Sequence, residues 1–135
     1  MTINVMREVI ESSEQLVDVL WTDVGDPIEM WGYSKAGIWL DAFIDDSYYM
    51  SIRAIAKLNK DDVGEYPLSI KSIDQHFVDS YQAEIRLHKT ACECNRYLLV
   101  IETEGIIPFL QLQMKTDFEG DRGYIDRVEV TKVLL

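Results

Sequence analysis

Cysteine, proline, basic side chains and long apolar runs are all scarce in this chain of 135 residues. The two cysteines, Cys92 and Cys94, are separated by one residue, a spacing that disfavours a disulfide and excludes a disulfide-stabilised secreted scaffold. No run of about 18 apolar residues is present to cross a bilayer, and the N-terminal segment lacks the apolar region of a signal peptide. We therefore expect one cytoplasmic domain, residues 1–135, with free thiols.

The shortage of basic residues excludes several kinds of partner. Thirteen Lys and Arg stand against 24 Asp and Glu, which gives a formal net charge of −11. Nucleic-acid binding depends on cationic side chains that meet phosphates, and anionic membrane surfaces attract the same side chains. The composition thus predicts no nucleic-acid partner and no membrane partner, and it favours a basic protein partner.

No motif of an enzyme, cofactor or metal site is complete. Asp117–Gly123 has acids at the first three ligand positions of a calcium loop, but Arg122 occupies the position that requires glycine. His76, Asp79 and Ser80 have the residue types of a hydrolytic triad, yet they crowd into five residues, whereas triad members come from separate elements. The paired aspartates at 45–46 and 61–62 are typical of turns. We expect a protein that is not an enzyme and that has no cofactor or metal.

Hydrophobic periodicity predicts a mainly β fold of the α+β class. Ser12 can cap a helix, and the apolar residues from Leu16 to Leu20 have helical spacing, so we predict one N-terminal helix at about residues 13–22. Further along, alternation predicts about seven or eight antiparallel strands in a meander or a small β-sandwich. A single five- or six-stranded sheet with helices on one face is the alternative. The predicted strands are residues 2–10, 38–44, 48–54, 66–71, 81–88, 97–103, 109–115 and 124–135.

The strands at 38–44 and 48–54 are predicted to pair as a hairpin. In the register we expect, Ile38 lies opposite Ala54 and Leu40 opposite Ile52, which places every aliphatic side chain on one face. The other face then pairs Trp39 with Arg53 in a cation–π contact.

A protein-binding surface is predicted between Trp21 and Phe43, where aromatic and acidic residues alternate. Trp31 is expected in the core, whereas Trp39 lies on the face opposite the aliphatic side chains. Residues 1–30 hold seven acids and one base. Aromatic anchors among carboxylates are typical of an interface with a basic partner. The predicted interface consists of Asp23, Asp26, Trp39, Asp41, Asp45 and Asp46.

The segments SSEQLVDVLW and IEMWGYSKAGIWLDAFIDDSYYMSIRAI resemble the first half of a known group of proteins. These are the small acidic immunity proteins of bacterial polymorphic-toxin and contact-dependent growth inhibition systems. The resemblance covers about 55 residues, and the C-terminal VEVTKVLL departs from the helix and Trp-containing strand that often close such proteins. It implies a cytoplasmic antitoxin that binds one cognate toxin, often a nuclease, and blocks the toxin's active site.

Two other functions remain open at this point. Secretion chaperones are also small, acidic and cytosolic, although they usually carry amphipathic helices at both ends. A β-domain of this size could also hold a small apolar ligand in an internal pocket.

Overall fold

A computed structural model of the chain describes residues 5–11, 15–17, 19–44, 50–63, 66–72, 82–87, 96–116 and 123–134. These residues form eleven strands and no helix. The strands are β1 (Val5–Glu11), β2 (Gln15–Val17), β3 (Thr22–Glu29), β4 (Tyr33–Ile44), β5 (Met50–Lys57), β6 (Tyr66–Leu68), β7 (Ile70–Ser72), β8 (Ile85–Leu87), β9 (Arg96–Glu102), β10 (Phe109–Thr116) and β11 (Gly123–Leu134). Accordingly, this part of the chain contains no helix long and apolar enough to cross a membrane.

The strands form two antiparallel sheets. The six-stranded sheet has the order β1-β11-β4-β9-β7, and β2 pairs with the first residues of β11. The five-stranded sheet has the order β3-β10-β5-β6, and β8 pairs with the first residues of β5. The strands β6 and β7 are separated only by Ser69, so the chain changes sheets there.

The two sheets pack face to face around one core. Buried side chains from both sheets belong to the same cluster, including Ile38 and Leu40 of β4, Ile52 of β5 and Leu112 of β10. The strand β9 alternates buried and more exposed residues, as expected when one face of a sheet meets the core. The fold is therefore a β-sandwich, one of the two architectures that the sequence predicts.

The predicted N-terminal helix is wrong. Gln15–Val17 is a strand paired with β11, and Thr22 begins a strand paired with β10. Leu20, which the helical stripe would have buried, is 76% exposed. Because the apolar segment is only five residues long, its spacing fits a helix and a broken strand equally, and pairing with β11 and β10 decides the outcome.

The predicted hairpin is also wrong in its pairing, although its faces are correct. Ile38 and Leu40 are buried as expected, but β4 lies between β11 and β9, whereas β5 lies in the other sheet beside β10. Leu40 is opposite Val128 and Tyr97, and Ile52 is opposite Met114. A two-residue period fixes which side chains point inward, but it does not select the partner strand.

The predicted number of strands is too low for two reasons. The strand β2 lies within the predicted helix and β3 was not predicted, and the predicted strand at 66–71 is two strands, β6 and β7, that belong to different sheets. The last three predicted strands agree closely with the structure. Residues 97–103, 109–115 and 124–135 correspond to β9, β10 and β11.

Candidate functional site

Trp39 lies at the centre of the outer face of the six-stranded sheet. It belongs to β4, the middle strand of the main path, and its side chain is 50% exposed. Its neighbours across the two adjacent strands are Leu98 of β9 and Glu129 of β11. A large aromatic side chain is thus presented to solvent from a rigid strand, which confirms the predicted outward orientation of Trp39.

A hydrogen bond holds the Trp39 ring in place. The indole Nε1–H donates a hydrogen bond to Thr131 Oγ1 over 3.1 Å. The Thr131 hydroxyl in turn donates to the carbonyl oxygen of Gly37 over 3.5 Å. Gly37 makes this arrangement possible, because a Cβ at position 37 would lie 2.6 Å from Thr131 Oγ1. The missing side chain of Gly37 therefore allows Thr131 to hold the indole.

Ion pairs surround Trp39 on the same face. Arg96 Nε lies 3.3 Å from Asp41 Oδ1, and Arg127 contacts Glu129 through its guanidinium. Lys35 of β4 and Glu102 of β9 form a third ion pair, in which the ammonium nitrogen lies 3.5 Å from a carboxylate oxygen. The face near Trp39 is therefore balanced in charge rather than acidic.

Asp23 and Asp26 lie elsewhere, on β3 in the five-stranded sheet. Both are exposed, while their neighbour Val24 points into the core. Because the two sheets share one core, the outer face with Asp23 and Asp26 is opposite the outer face with Trp39 and Asp41. The predicted interface is thus divided between two faces, and one flat contact cannot include both groups.

The outer face of the five-stranded sheet carries a second tryptophan with a different environment. The Arg53 guanidinium lies 4.2 Å from the centre of the Trp21 ring, and the Lys115 ammonium lies 4.9 Å from it. Gln113 accepts a hydrogen bond from Arg53 and donates one to Asp23, both over 2.9 Å. The predicted cation–π partner of Arg53 was Trp39, and the structure places Trp21 there instead.

Two further expectations have different outcomes. Trp31, predicted in the core, is 56% exposed in the turn between β3 and β4, because Met30 and not Trp31 is the inward residue. Asp45 and Asp46 lie outside the described residues, between the end of β4 and the start of β5.

The described residues contain no group of three or more His, Cys, Asp or Glu side chains that could hold a metal ion. Cys92, Cys94, His76 and His88 lie outside the described ranges, so the expectation of free thiols and no zinc stays a prediction.

The residues that orient Trp39 were not found from the sequence. Gly37 is visible there as a glycine in an alternating strand, a signal of close backbone approach. Its partner Thr131 is 94 positions away, so only the pairing of β4 with β11 shows which residue approaches.

No family model matches the chain, and no curated protein matches it. Among solved structures, the crystal structure of the SPBc2 prophage-derived protein YomS is similar over 98% of this chain and 96% of that chain. The sequence identity is 9% and the TM-score is 0.49. At these values the similarity supports no inference about function.

Proposed function

We propose that this chain is an immunity protein, a cytoplasmic binding protein without enzymatic activity or cofactor that neutralises a basic, nuclease-type toxin by covering its active site. The observation that carries the proposal is Trp39. It is half-exposed at the centre of a rigid sheet, it is held by a side-chain hydrogen bond, and it belongs to a chain with a net charge of −11.

Trp39 has the properties of a binding anchor. Tryptophan is among the residues that contribute most to protein interfaces when a partner covers them. Because Thr131 already orients the indole, little side-chain freedom remains to be lost on binding. Leu98, opposite Trp39 on β9, provides adjacent surface for a partner's apolar atoms.

The ion pairs beside Trp39 are suited to exchange with a basic partner. The Arg96 side chain is 77% exposed, and a pair this open contributes only about 0–1 kcal/mol to stability. An arginine of the toxin can therefore replace Arg96 on Asp41 at little cost. The whole-molecule charge then supplies the long-range attraction that accelerates encounter.

The division of the predicted acidic residues between two faces narrows the proposed interface. Asp41 shares the face of Trp39, and Asp45 and Asp46 follow β4 directly in the sequence. We retain these three carboxylates with Trp39 and leave out Asp23 and Asp26, which lie on the opposite face.

The secretion-chaperone alternative loses support, because β1 and β11 occupy the positions near the ends of the chain where amphipathic helices were required. The ligand-binding alternative required a deep internal pocket. The side chains between the two sheets are instead packed at 0–1% exposure across most of the core.

Co-expression tests the proposal directly. The protein encoded immediately upstream, expressed through its C-terminal domain, should arrest bacterial growth, and this chain should restore growth. Restoration should be weaker with Trp39→Ala and unchanged with Asp23→Ala. A neighbouring protein that is not toxic, or toxicity that this chain does not relieve, would overturn the proposal.

Substitution of Asp45 and Asp46 by lysine tests how much the carboxylates contribute to association with the toxin. The double variant should associate more slowly with the toxin and show a flatter salt dependence, because rim carboxylates act mainly on the encounter rate. Asp23→Lys combined with Asp26→Lys is the matched control, since it makes the same change of net charge on the opposite face. Equal slowing by both variants would show that only net charge matters.

A further inference from the structure

Exposed apolar side chains concentrate at one end of the sandwich. Among the described residues, seven large hydrophobic side chains are exposed, and five of them belong to the turns and strand ends of that end. We call this surface the apolar end. It consists of Trp31, Leu58, Val63, Tyr66 and Ile106.

Strand pairing brings these residues together. Tyr66 is opposite Ala56 at the end of β5, and Phe109, two residues after Ile107, is opposite both Lys57 and Glu29. The backbone N–H of Met30, next to Trp31, donates to the carbonyl oxygen of Pro108 over 2.8 Å. The three connections β3–β4, β5–β6 and β9–β10 therefore meet at the same edge of the core.

A groove of about 360 Å³ opens at this end, lined mainly by apolar side chains. Leu58 and Tyr66 form part of its wall and are also exposed, so they project beside a concave surface. The apolar end thus carries both protruding apolar side chains and a recess of a size that accepts one. Its lining residues include Ala56, Leu58, Pro67, Leu68, Ile107 and Pro108.

The charges next to the groove have both signs and no ion-pair partner among the described residues. Lys57 and Asp62 line the groove, and Lys60 and Asp61 lie in the turn that follows β5. Lys60 has only the ring of Phe109 near its ammonium, at 5.9 Å.

We propose that the apolar end is an interface with a second copy of this chain. In a two-fold interface each residue meets its complement twice, so a patch must carry both halves of every contact. The apolar end meets this requirement, because Leu58 or Tyr66 of one copy fits the groove of the other and Lys60 faces Asp61 in both directions. Exposed apolar surface of this kind is typical of protein–protein contacts.

The dimer leaves the proposed toxin surface open. Trp39 is six residues from Tyr33, the first residue of β4 at the apolar end, which corresponds to roughly 20 Å along an extended strand. A dimer through the apolar end therefore leaves both Trp39 surfaces exposed. This proposal stands independently of what binds at Trp39.

Sedimentation velocity over a range of micromolar concentrations tests the dimer with the full chain. Wild-type protein should sediment as a dimer, and Leu58→Glu should weaken dimerisation at least about tenfold, because a carboxylate would enter an apolar contact. Leu20→Glu is the matched control, since Leu20 is 76% exposed against 67% for Leu58 but lies at the opposite end of the sandwich. It should remain dimeric.

Three outcomes would overturn the proposal. Wild-type protein could be monomeric throughout the range, Leu58→Glu could remain dimeric, or both variants could dissociate equally. If monomeric wild-type protein binds the apolar dye anilinonaphthalene sulfonate and Leu58→Glu does not, the apolar end serves an apolar ligand and not a second copy. Unfolding curves of both variants establish that each is folded.

Discussion

At the residue scale, Gly37 determines how Trp39 is presented. The indole is fixed by Thr131, and Thr131 can take its position only because residue 37 has no side chain. An exposed tryptophan would otherwise sample several rotamers, and a partner would have to pay for ordering it. The absence of a side chain at Gly37 therefore helps to hold the exposed Trp39 side chain in place.

Gly37→Ala should displace the Thr131 hydroxyl and release the Trp39 indole. We expect a loss of about 1–3 kcal/mol in the free energy of unfolding, the usual cost of overpacking, and a shifted Trp39 indole N–H signal in NMR spectra. In a Thr131→Ala background the same substitution should cost much less, because the clashing oxygen is gone. An equal cost in both backgrounds, measured by denaturant unfolding, would contradict this account.

Glu104 has a positive φ, a backbone conformation that is unusual for glutamate. Its φ of 55° and the φ of 77° at Gly105 correspond to a turn that favours Asn-Gly. Glu104→Asn should therefore raise the free energy of unfolding by roughly 0.5–1 kcal/mol. Glu104→Gln removes the same charge without a preference for positive φ, so it should change stability less. Equal effects of the two variants in denaturant unfolding would assign the gain to charge instead.

At the element scale, an irregularity in β3 shapes the five-stranded sheet. Leu110 pairs with Ile28 and Leu112 with Val24, so β3 has two residues more than β10 between these positions. Gln111 fills the gap, since its buried amide nitrogen lies 3.3 Å from the Val24 carbonyl oxygen and 3.2 Å from that of Gly25. One buried side chain thus contacts two backbone carbonyls of β3 at the irregularity.

Gln111→Ala should remove the hydrogen bonds of a buried amide to the backbone of β3 and lower the free energy of unfolding by about 1–3 kcal/mol. Gln113→Ala on the same strand removes only the more exposed bonds to Arg53 and Asp23, so it should cost less than about 1 kcal/mol. Denaturant unfolding of the two variants measures the difference. Equal losses would show that Gln111 does not stabilise the β3 irregularity.

The same irregularity shows what sequence could and could not predict about the fold. Gly25 and Pro27 have the residue types that end helices and follow the predicted helix in the sequence, but they lie within β3, where Gly25 has a φ of 64°. The inward side chains of β4 were predicted correctly because alternation depends only on local order. The pairing of β4 with β11 could not be predicted, since partners about 90 residues apart leave no local signal.

For the candidate site too, the sequence predicts which way a side chain points but not which strands lie side by side. Trp39 was found because its neighbours Ile38 and Leu40 are aliphatic, which identifies the outer face. The separation of Asp23 from Asp41 was not predicted, because it follows from the sheet to which each strand belongs.

At the scale of the whole molecule, the two proposals give different surfaces different roles. In the proposed function, the net charge of −11 attracts a basic partner from a distance, and the Trp39 face forms the close contact. In the proposed dimer, the apolar end contacts a second copy of the chain. Long-range attraction and close contact should therefore respond to different changes, since salt acts on the first and truncation of Trp39 on the second.

Binding kinetics with the cognate toxin test the central claim most directly. With this chain immobilised, Trp39→Ala should release the toxin at least about 30-fold faster, the equivalent of roughly 2 kcal/mol for a central aromatic anchor. Trp31→Ala, equally exposed at the apolar end, should dissociate like the wild type. Association of all three proteins should slow alike as salt rises. A wild-type dissociation rate for Trp39→Ala, or the same acceleration for Trp31→Ala, would contradict the account.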